Sequence, residues 1–331
     1  MNLPAAHDRL LLLFAALALD ALFGDMAAVF RYIPHPTVLA ARAVASFDRK
    51  LNRPRRSPRT RRARGVLSVI VLVAGAAAIG WLLHLLCRDR LIGAAVEALA
   101  ITVLIAWRGP HDHVFAVAVA LDRGGVAAGR QAVSHIVGRN PASLDTHGVA
   151  RAAIESLAEN FSEAVVAPAF WYLVLGLPGL FAYKMANTLD GMIGHDSVHY
   201  RNFGWAAARF DDLLSLAPAR LSACLIAGAA LFAHRARAGA ALRVMWRDAG
   251  KHRSLNAGWP EAAMAGALGL ALAGPRHYAD GRVDDPWLGD GTAQAGPADI
   301  VRALRLYRLA GLVTAGLVFG AWLTAHLGPL R

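Results

Sequence analysis

The chain has 331 residues, of which 56% are hydrophobic and only 18% charged, whereas a soluble globular chain carries about 25% charged residues. That balance excludes an ordinary soluble domain. Its two cysteines, Cys87 and Cys224, stand in or beside apolar runs and support neither a disulfide framework nor a thiolate zinc site. The net charge of +12 would suit a nucleic-acid binder, but its largest block lies between two apolar runs with no nucleic-acid motif around it, so no nucleic-acid partner is expected.

In chain order, residues 9–23 form a short, acid-flanked apolar run. It is expected to span a membrane and, lacking a cleavable layout, to be retained. Between Arg49 and Arg64 the chain carries nine basic residues and no acid. Beside a span this marks a cytoplasmic loop, 49–64, which can also touch anionic lipid headgroups. Residues 65–87 make a clear span. Residues 91–107 follow after Arg88-Asp89-Arg90, so the two segments predict a helical hairpin, and Glu97 inside the second member should face protein.

A polar stretch at 108–162 is expected on the cytoplasmic side. The apolar run 164–183 contains Pro168 and a Gly-Leu-Pro-Gly break at Gly176 to Gly179, and the run 213–233 contains Pro218 and Arg220. Both fit broken or re-entrant helices, whose freed backbone groups face protein or a cavity. Kinked full spans are the alternative. Polar residues 184–212 lie between them. The segment 234–306, with Arg235, Arg237, Arg243, Arg247, Lys251 and Arg253, is expected in the cytoplasm before the last span at 307–327. Residues 274–299 read as a Gly-, Pro- and Asp-rich loop. The fold class is therefore all-α: a polytopic integral membrane helical protein, one membrane domain over 1–331, with cytoplasmic polar loops and broken or re-entrant helices.

Polar side chains gather in four stretches. In the first, Arg151, Glu155 and Glu159 lie four apart and share a helical face, with Asn160 beside them. On an isolated helix this would be a solvated salt-bridge ladder. Running into an apolar segment, two carboxylates are costly unless paired or metal-bound. In the second, Lys184, Asn187 and Asp190 are three apart. They suit a phosphate and its Mg²⁺, and equally a Lys snorkelling at a membrane end with capping residues after it.

The third stretch is Arg209, Asp211 and Asp212, followed by Pro218 and Arg220. Adjacent acids diverge on a helix, so at most one serves a given metal. The fourth runs His252-Arg253-Ser254-Leu255-Asn256-Ala257-Gly258-Trp259-Pro260-Glu261, which also reads as a loop-to-helix junction with Pro260 in the first turn. There is no P-loop, no GxSxG elbow and no HExxH. His111-Asp112-His113 and the pair His195 and His199 read as surface or capping residues.

In this order the stretches resemble the CobD/CbiB family, the membrane-bound adenosylcobinamide-phosphate synthases. The resemblance covers nearly the whole chain. It begins with Asp20-Ala-Leu-Phe-Gly24-Asp25 and His35-Pro36, and continues through Ser134-His135-Ile136-Val137-Gly138-Arg139 and Arg151 to Asn160. Its strongest part is Pro178-Gly179, Tyr183-Lys184, Asn187-Thr188-Leu189-Asp190, Phe203-Gly204, Asp211-Asp212 and Pro218-Ala219-Arg220. It closes with Asn256 to Gly266, Gly274-Pro275 and Tyr278. The chain departs from the family pattern at Glu163-Ala164, where Asp-Gly is usual, at Gly191 and at Leu255.

The resemblance implies ATP-dependent amide formation between the free propionate of adenosylcobyric acid and aminopropanol or its O-phosphate. It implies ATP and Mg²⁺ as cofactors, catalytic roles for Glu155, Glu159, Asn160, Lys184, Asn187 and Asp190, and metal ligands among Asp190, Asp211, Asp212 and Glu155. Substrate and phosphate contacts would come from Arg139, Arg151, Arg209, Arg220, His252, Asn256 and Trp259. The expected location is the inner cell membrane, multi-pass, with the active site facing the cytoplasm. Membrane lipid is an expected partner, together with a second copy or pathway proteins. A non-enzymatic scaffold or sensor, or a corrinoid carrier, is the competing expectation.

Overall fold

The structure, a computed structural model, describes residues 5–24, 26, 30–88, 91–137, 141–278 and 281–327. In chain order the helices are α1 (Ala5–Phe23), α2 (Pro36–Leu51), α3 (Pro58–Cys87), α4 (Leu91–Leu104), α5 (Arg108–Val133) and α6 (Thr146–Asn160). A π-helical turn (Phe161–Val166) follows, and then α7 (Ala167–Leu175), α8 (Leu177–Ile193), α9 (Trp205–Ala229), α10 (Ala238–Asp248), α11 (Gly258–Leu268) and α12 (Pro297–Leu327). Between α11 and α12 lie β1 (Leu272–Ala273), β2 (Arg276–Tyr278), β3 (Gly281–Val283) and β4 (Trp287–Leu288). β1 pairs antiparallel with β4, and β2 with β3.

The protein is an all-α membrane protein. Among the described residues, four helical segments are long and apolar enough to cross a bilayer: Pro58–Cys87, Ile92–Val133, Trp205–Ala229 and Pro297–His326. The spans expected at 65–87, 91–107 and 307–327 fall within three of these. The run 9–23 forms most of α1 but is not one of the four. The run 164–183 is broken at Gly176, whose φ of 70° and ψ of −155° suit glycine and strain other residues; Pro178 then opens the first turn of α8. The run 213–233 differs. α9 continues through Pro218 as one helix.

The chain divides into two compact units. The first comprises Met1–Ala106, Ala167–Ser215 and Val318–Arg331. Here α3 shows why a long apolar helix is only partly buried. Gly65, Val69, Leu72, Ala76 and Gly80 form its inner stripe, while Leu67, Ile70, Ile79 and Leu82 are exposed, as suits a helix facing lipid. A Cβ added at Gly80 would lie 2.6 Å from the Leu177 carbonyl oxygen, so glycine lets α3 approach the start of α8 closely. Val44, Val69, Leu72, Leu189, Ile193, Phe203 and Ala207 make the adjoining core.

Two costly polar groups of this unit, the Glu97 carboxylate and the Leu214 carbonyl, have partners. Glu97 is 7% exposed and accepts a 2.9 Å hydrogen bond from the Tyr172 hydroxyl, with His84 Nδ1 at 3.7 Å; it faces protein, as expected. Pro218 has no N–H to give the Leu214 carbonyl. That oxygen instead accepts the Trp171 indole N–H at 3.0 Å.

The second unit comprises Trp107–Val166 and Leu216–Leu317. α6 is buried from Gly148 to Ala158 except at the half-buried Arg151, and α11 is buried along its length except at Trp259. Asp145 caps α6 by accepting the Gly148 N–H at 2.6 Å. Tyr307 packs edge-on to Phe161, with centroids 5.6 Å apart, and donates to the Trp107 carbonyl at 2.7 Å. Asp248, fully buried, takes Arg247 and Lys251 as ion partners at 2.6 Å each and the Gly289 N–H at 2.9 Å. These bonds fasten the loop after β4 to the end of α10.

Candidate active site

In the first unit, α8 turns Tyr183, Ala186, Leu189 and Ile193 inward. Lys184, Asn187 and Asp190, each one position further along, are half-buried at the edge of that face. The Thr188 hydroxyl donates to the Lys184 carbonyl at 2.7 Å. Asp190 is pushed above the ordinary carboxylate range chiefly by burial and then by the charge of Asp212, with His195 acting in the opposite direction. Asp212 on α9 therefore lies within electrostatic reach of Asp190. Arg209 stands one turn before it, with its nitrogen 3.5 Å from the Asp212 carboxylate. Asp211 is buried and accepts a bond from Ser215 Oγ at 3.4 Å. A Cβ at Gly194 would run into the Asp190 carboxylate, so this glycine leaves the space that the carboxylate occupies.

In the second unit, Glu155 is 5% exposed and accepts the Ala273 N–H at 2.8 Å. Arg151 donates to the Ala293 carbonyl and lies 5.3 Å from the Trp287 ring centroid. These two are committed to the β1–β4 region, so the solvated-ladder reading fails on burial. Asn160 donates to the Ser156 carbonyl at 2.8 Å, and the Ser156 hydroxyl to Ile136 at 3.0 Å. Glu159 is half-buried on the same helix.

Arg220 donates to Asn256 Oδ1 at 2.9 Å and to the Leu216 carbonyl at 2.8 Å, and lies 4.7 Å from the Trp259 ring centroid. His252 Nε2 stands 3.8 Å from Glu261, while its Nδ1 takes the Ser254 N–H at 3.0 Å. The third and fourth sequence stretches thus meet through Arg220 and Asn256. Arg139 lies outside the described residues. Glu261, 3% exposed, received no role in the sequence reading. The signal for it was a single acid in the apolar, small-residue run of α11.

The sequence model of the CobD/Cbib protein family matches residues 13–307. The chain belongs to the CobD/CbiB family. Proteins named cobalamin biosynthesis protein CobD are 51% identical in Rhizobium meliloti (strain 1021), over 91% of this chain and 93% of that protein; 48% identical in Brucella suis biovar 1, over 95% and 97%; and 46% identical in Rhodobacter capsulatus, over 94% and 98%. No solved structure matches the chain.

Within this CobD/CbiB chain, no group of three or more His, Cys, Asp and Glu side chains able to hold a metal occurs among the described residues. Mg²⁺ does not require one, because it is commonly held by one or two carboxylates together with substrate phosphates and water. Asp190 and Asp212, two carboxylates near enough for one to raise the other's pKa, fit that mode. The His111, Asp112 and His113 cluster forms local contacts, His111 Nδ1 to Asp112 Oδ1 at 3.0 Å and His113 Nδ1 to the Gly109 carbonyl at 2.9 Å. The Glu163-Ala164 departure falls inside the π-helical turn, an element frequent at functional sites.

Proposed function

We propose that this chain, in cobalamin biosynthesis where its relatives are named, is an ATP-dependent amide ligase joining aminopropanol or its O-phosphate to the free propionate of adenosylcobyric acid. The observation that carries the reading is the gathering of Lys184, Asn187 and Asp190 on one edge of α8, with Asp212 within electrostatic reach of Asp190 and Arg209 beside Asp212. A cation, an amide and two carboxylates in one place are what a phosphate and its metal need.

A carboxylate is a poor acyl donor, because it is anionic and has no good leaving group. Transfer of the γ-phosphoryl group of ATP to a carboxylate oxygen releases ADP and gives an acyl phosphate, whose carbonyl carbon the amine nitrogen attacks, expelling inorganic phosphate and releasing one proton. Mg²⁺, when bound, supplies charge neutralisation for the phosphates, and Asp190 and Asp212 would hold it. Lys184 and Arg209 would hold phosphate oxygens, and Asn187 would orient them. In the second unit, Arg220 is fixed by Asn256 and Trp259 and is prepared to bind an anionic substrate group.

Use of ATP places this chemistry on the cytoplasmic face of the inner membrane, the side to which the basic stretches point. Cysteine labelling at Ser197 from the cytoplasmic side alone is the expected result.

The test uses purified protein in nanodiscs with adenosylcobyric acid, Mg·ATP and either amine, following corrinoid mass. An ATP-dependent gain of the condensed amine, lost in Lys184→Ala, is expected. Corrinoid binding with no mass change, under conditions where a relative is active, would instead favour a carrier or scaffold.

A further inference from the structure

The turn between α2 and α3 is a built feature that this chemistry does not use. Arg61, only 9% exposed, donates Nε to Asn52 Oδ1 at 2.9 Å and another nitrogen to the His199 carbonyl. Asn52 Nδ2 donates to Asp48 Oδ1 at 2.9 Å, and the Tyr200 hydroxyl to Asp48 Oδ2 at 3.2 Å. This buried network pins the turn to residues 199–200. Within the turn, Arg53 Nε donates to the Lys50 carbonyl at 3.2 Å and the Arg56 N–H to the Arg53 carbonyl at 3.0 Å. The basic block is therefore a shaped turn with one arginine buried to hold it.

The turn encloses a hollow of about 980 Å³ lined by Lys50, Arg53, Pro54, Arg55, Arg56 and Arg64. Five of these lining residues are cationic and none is acidic, so the hollow repels itself until an anion enters. We propose that it binds the phosphate-bearing headgroup of an anionic phospholipid.

Two observations favour a lipid over a free phosphate. Arg64 immediately precedes the apolar part of α3, whose exposed Leu67, Ile70 and Val71 continue from the hollow as a surface for acyl chains. Arg62 lies 3.6 Å from the centroid of the Trp205 ring. Trp205 is 41% exposed and opens the apolar helix α9, the place of an aromatic residue at the membrane–water boundary. The cations, the tryptophan and the start of two apolar helices thus mark headgroup depth. The inference stands independently of the ligase reading.

The test is a lipid titration of the full-length protein in nanodiscs, with native mass spectrometry counting retained lipid. Cardiolipin and phosphatidylglycerol are compared with phosphatidylcholine. Wild type should retain the anionic lipids selectively. Arg53→Gln/Arg55→Gln/Arg56→Gln should weaken them about a hundredfold, given roughly a fivefold step per cation near an anionic surface. Those side chains are exposed, and an unchanged melting temperature would show that the triple variant is folded. Arg42→Gln/Arg123→Gln/Arg243→Gln, which removes equal charge at exposed sites outside the basic block, should leave retention near the wild-type level. Equal weakening by both triple variants, equal retention of phosphatidylcholine, or displacement of the lipid by inorganic phosphate but not by chloride at matched ionic strength would each overturn the proposal.

Discussion

Arg220 on α9 donates to the Asn256 side-chain oxygen across 2.9 Å, tying a residue in the second half of a spanning helix to the loop before α11. The same guanidinium lies against Trp259. A planar fork serves both contacts, and a lysine ammonium cannot reproduce them. Arg220→Lys should therefore lose one charge-assisted hydrogen bond and a stacked contact, together about 2–4 kcal/mol. Ligase kcat/KM should fall at least tenfold with the protein still folded. Full activity in Arg220→Lys would remove Arg220 from substrate binding.

Trp171 and Pro218 form a compensating pair. Trp171→Phe keeps the ring but removes the N–H from Leu214, leaving a carbonyl that Pro218 has already deprived of its helical donor. Thermal unfolding in detergent should show a loss of about 1–3 kcal/mol. Pro218→Ala restores an amide at that position, so the same Trp171→Phe change made on that background should cost less. Equal costs on the two backgrounds would mean that the indole bond does not substitute for the missing backbone one.

The apolar spans and the break at Gly176 were legible because length, hydropathy and Gly-Pro chemistry are local properties. The continuous path of α9 was not. Pro218 and Arg220 suggested an interruption, and the partners they call for, the Trp171 N–H on the Leu214 carbonyl and the Asn256 oxygen on the Arg220 guanidinium, lie 43 and 36 residues away in sequence. The spacing of Arg151, Glu155 and Glu159 showed a shared face without its destination, since Ala273 and Ala293 are met only through the fold. Lys184, Asn187 and Asp190 were legible as neighbours on one helical face, whereas the electrostatic reach of Asp212 to Asp190 is met only through the fold. The burial of Asp48, Asn52 and Arg61 was hidden by the surrounding basic block.

Asp190 supplies a test in pH. Its folded pKa is raised, by burial and then by Asp212, so the native state holds this proton more tightly than the unfolded chain does. Its contribution to stability is fully present below the unfolded pKa and is lost as pH rises through the raised one. Asp190→Asn should thus melt higher than wild type at neutral pH, with the difference closing at acid pH, while ligase activity disappears. Mg²⁺ should raise the melting temperature of wild type and leave Asp190→Asn unmoved. An equal Mg²⁺ shift in both proteins would take Asp190 out of the metal site.

Asp248 behaves in the opposite sense. Hydrogen bonds from Arg247, and then from Lys251 and the Gly289 N–H, hold its carboxyl below the usual carboxylate range against the penalty of burial. Its contribution is present above the unfolded pKa and is lost as pH falls through the depressed folded value. Arg247 and Lys251 are half-exposed and stay solvated when the carboxylate is lost, so Asp248→Asn should cost about 1–3 kcal/mol at neutral pH, the scale of weakened hydrogen bonds to a buried group, with a smaller deficit in strong acid where wild type has lost the same interaction. Because Asp248 also holds Gly289, proteolysis near residues 289–291 should accelerate in the variant. An Asp248→Asn protein as stable as wild type at pH near neutrality would show that the ion cluster does not hold the loop, leaving β1–β4 pairing as its anchor.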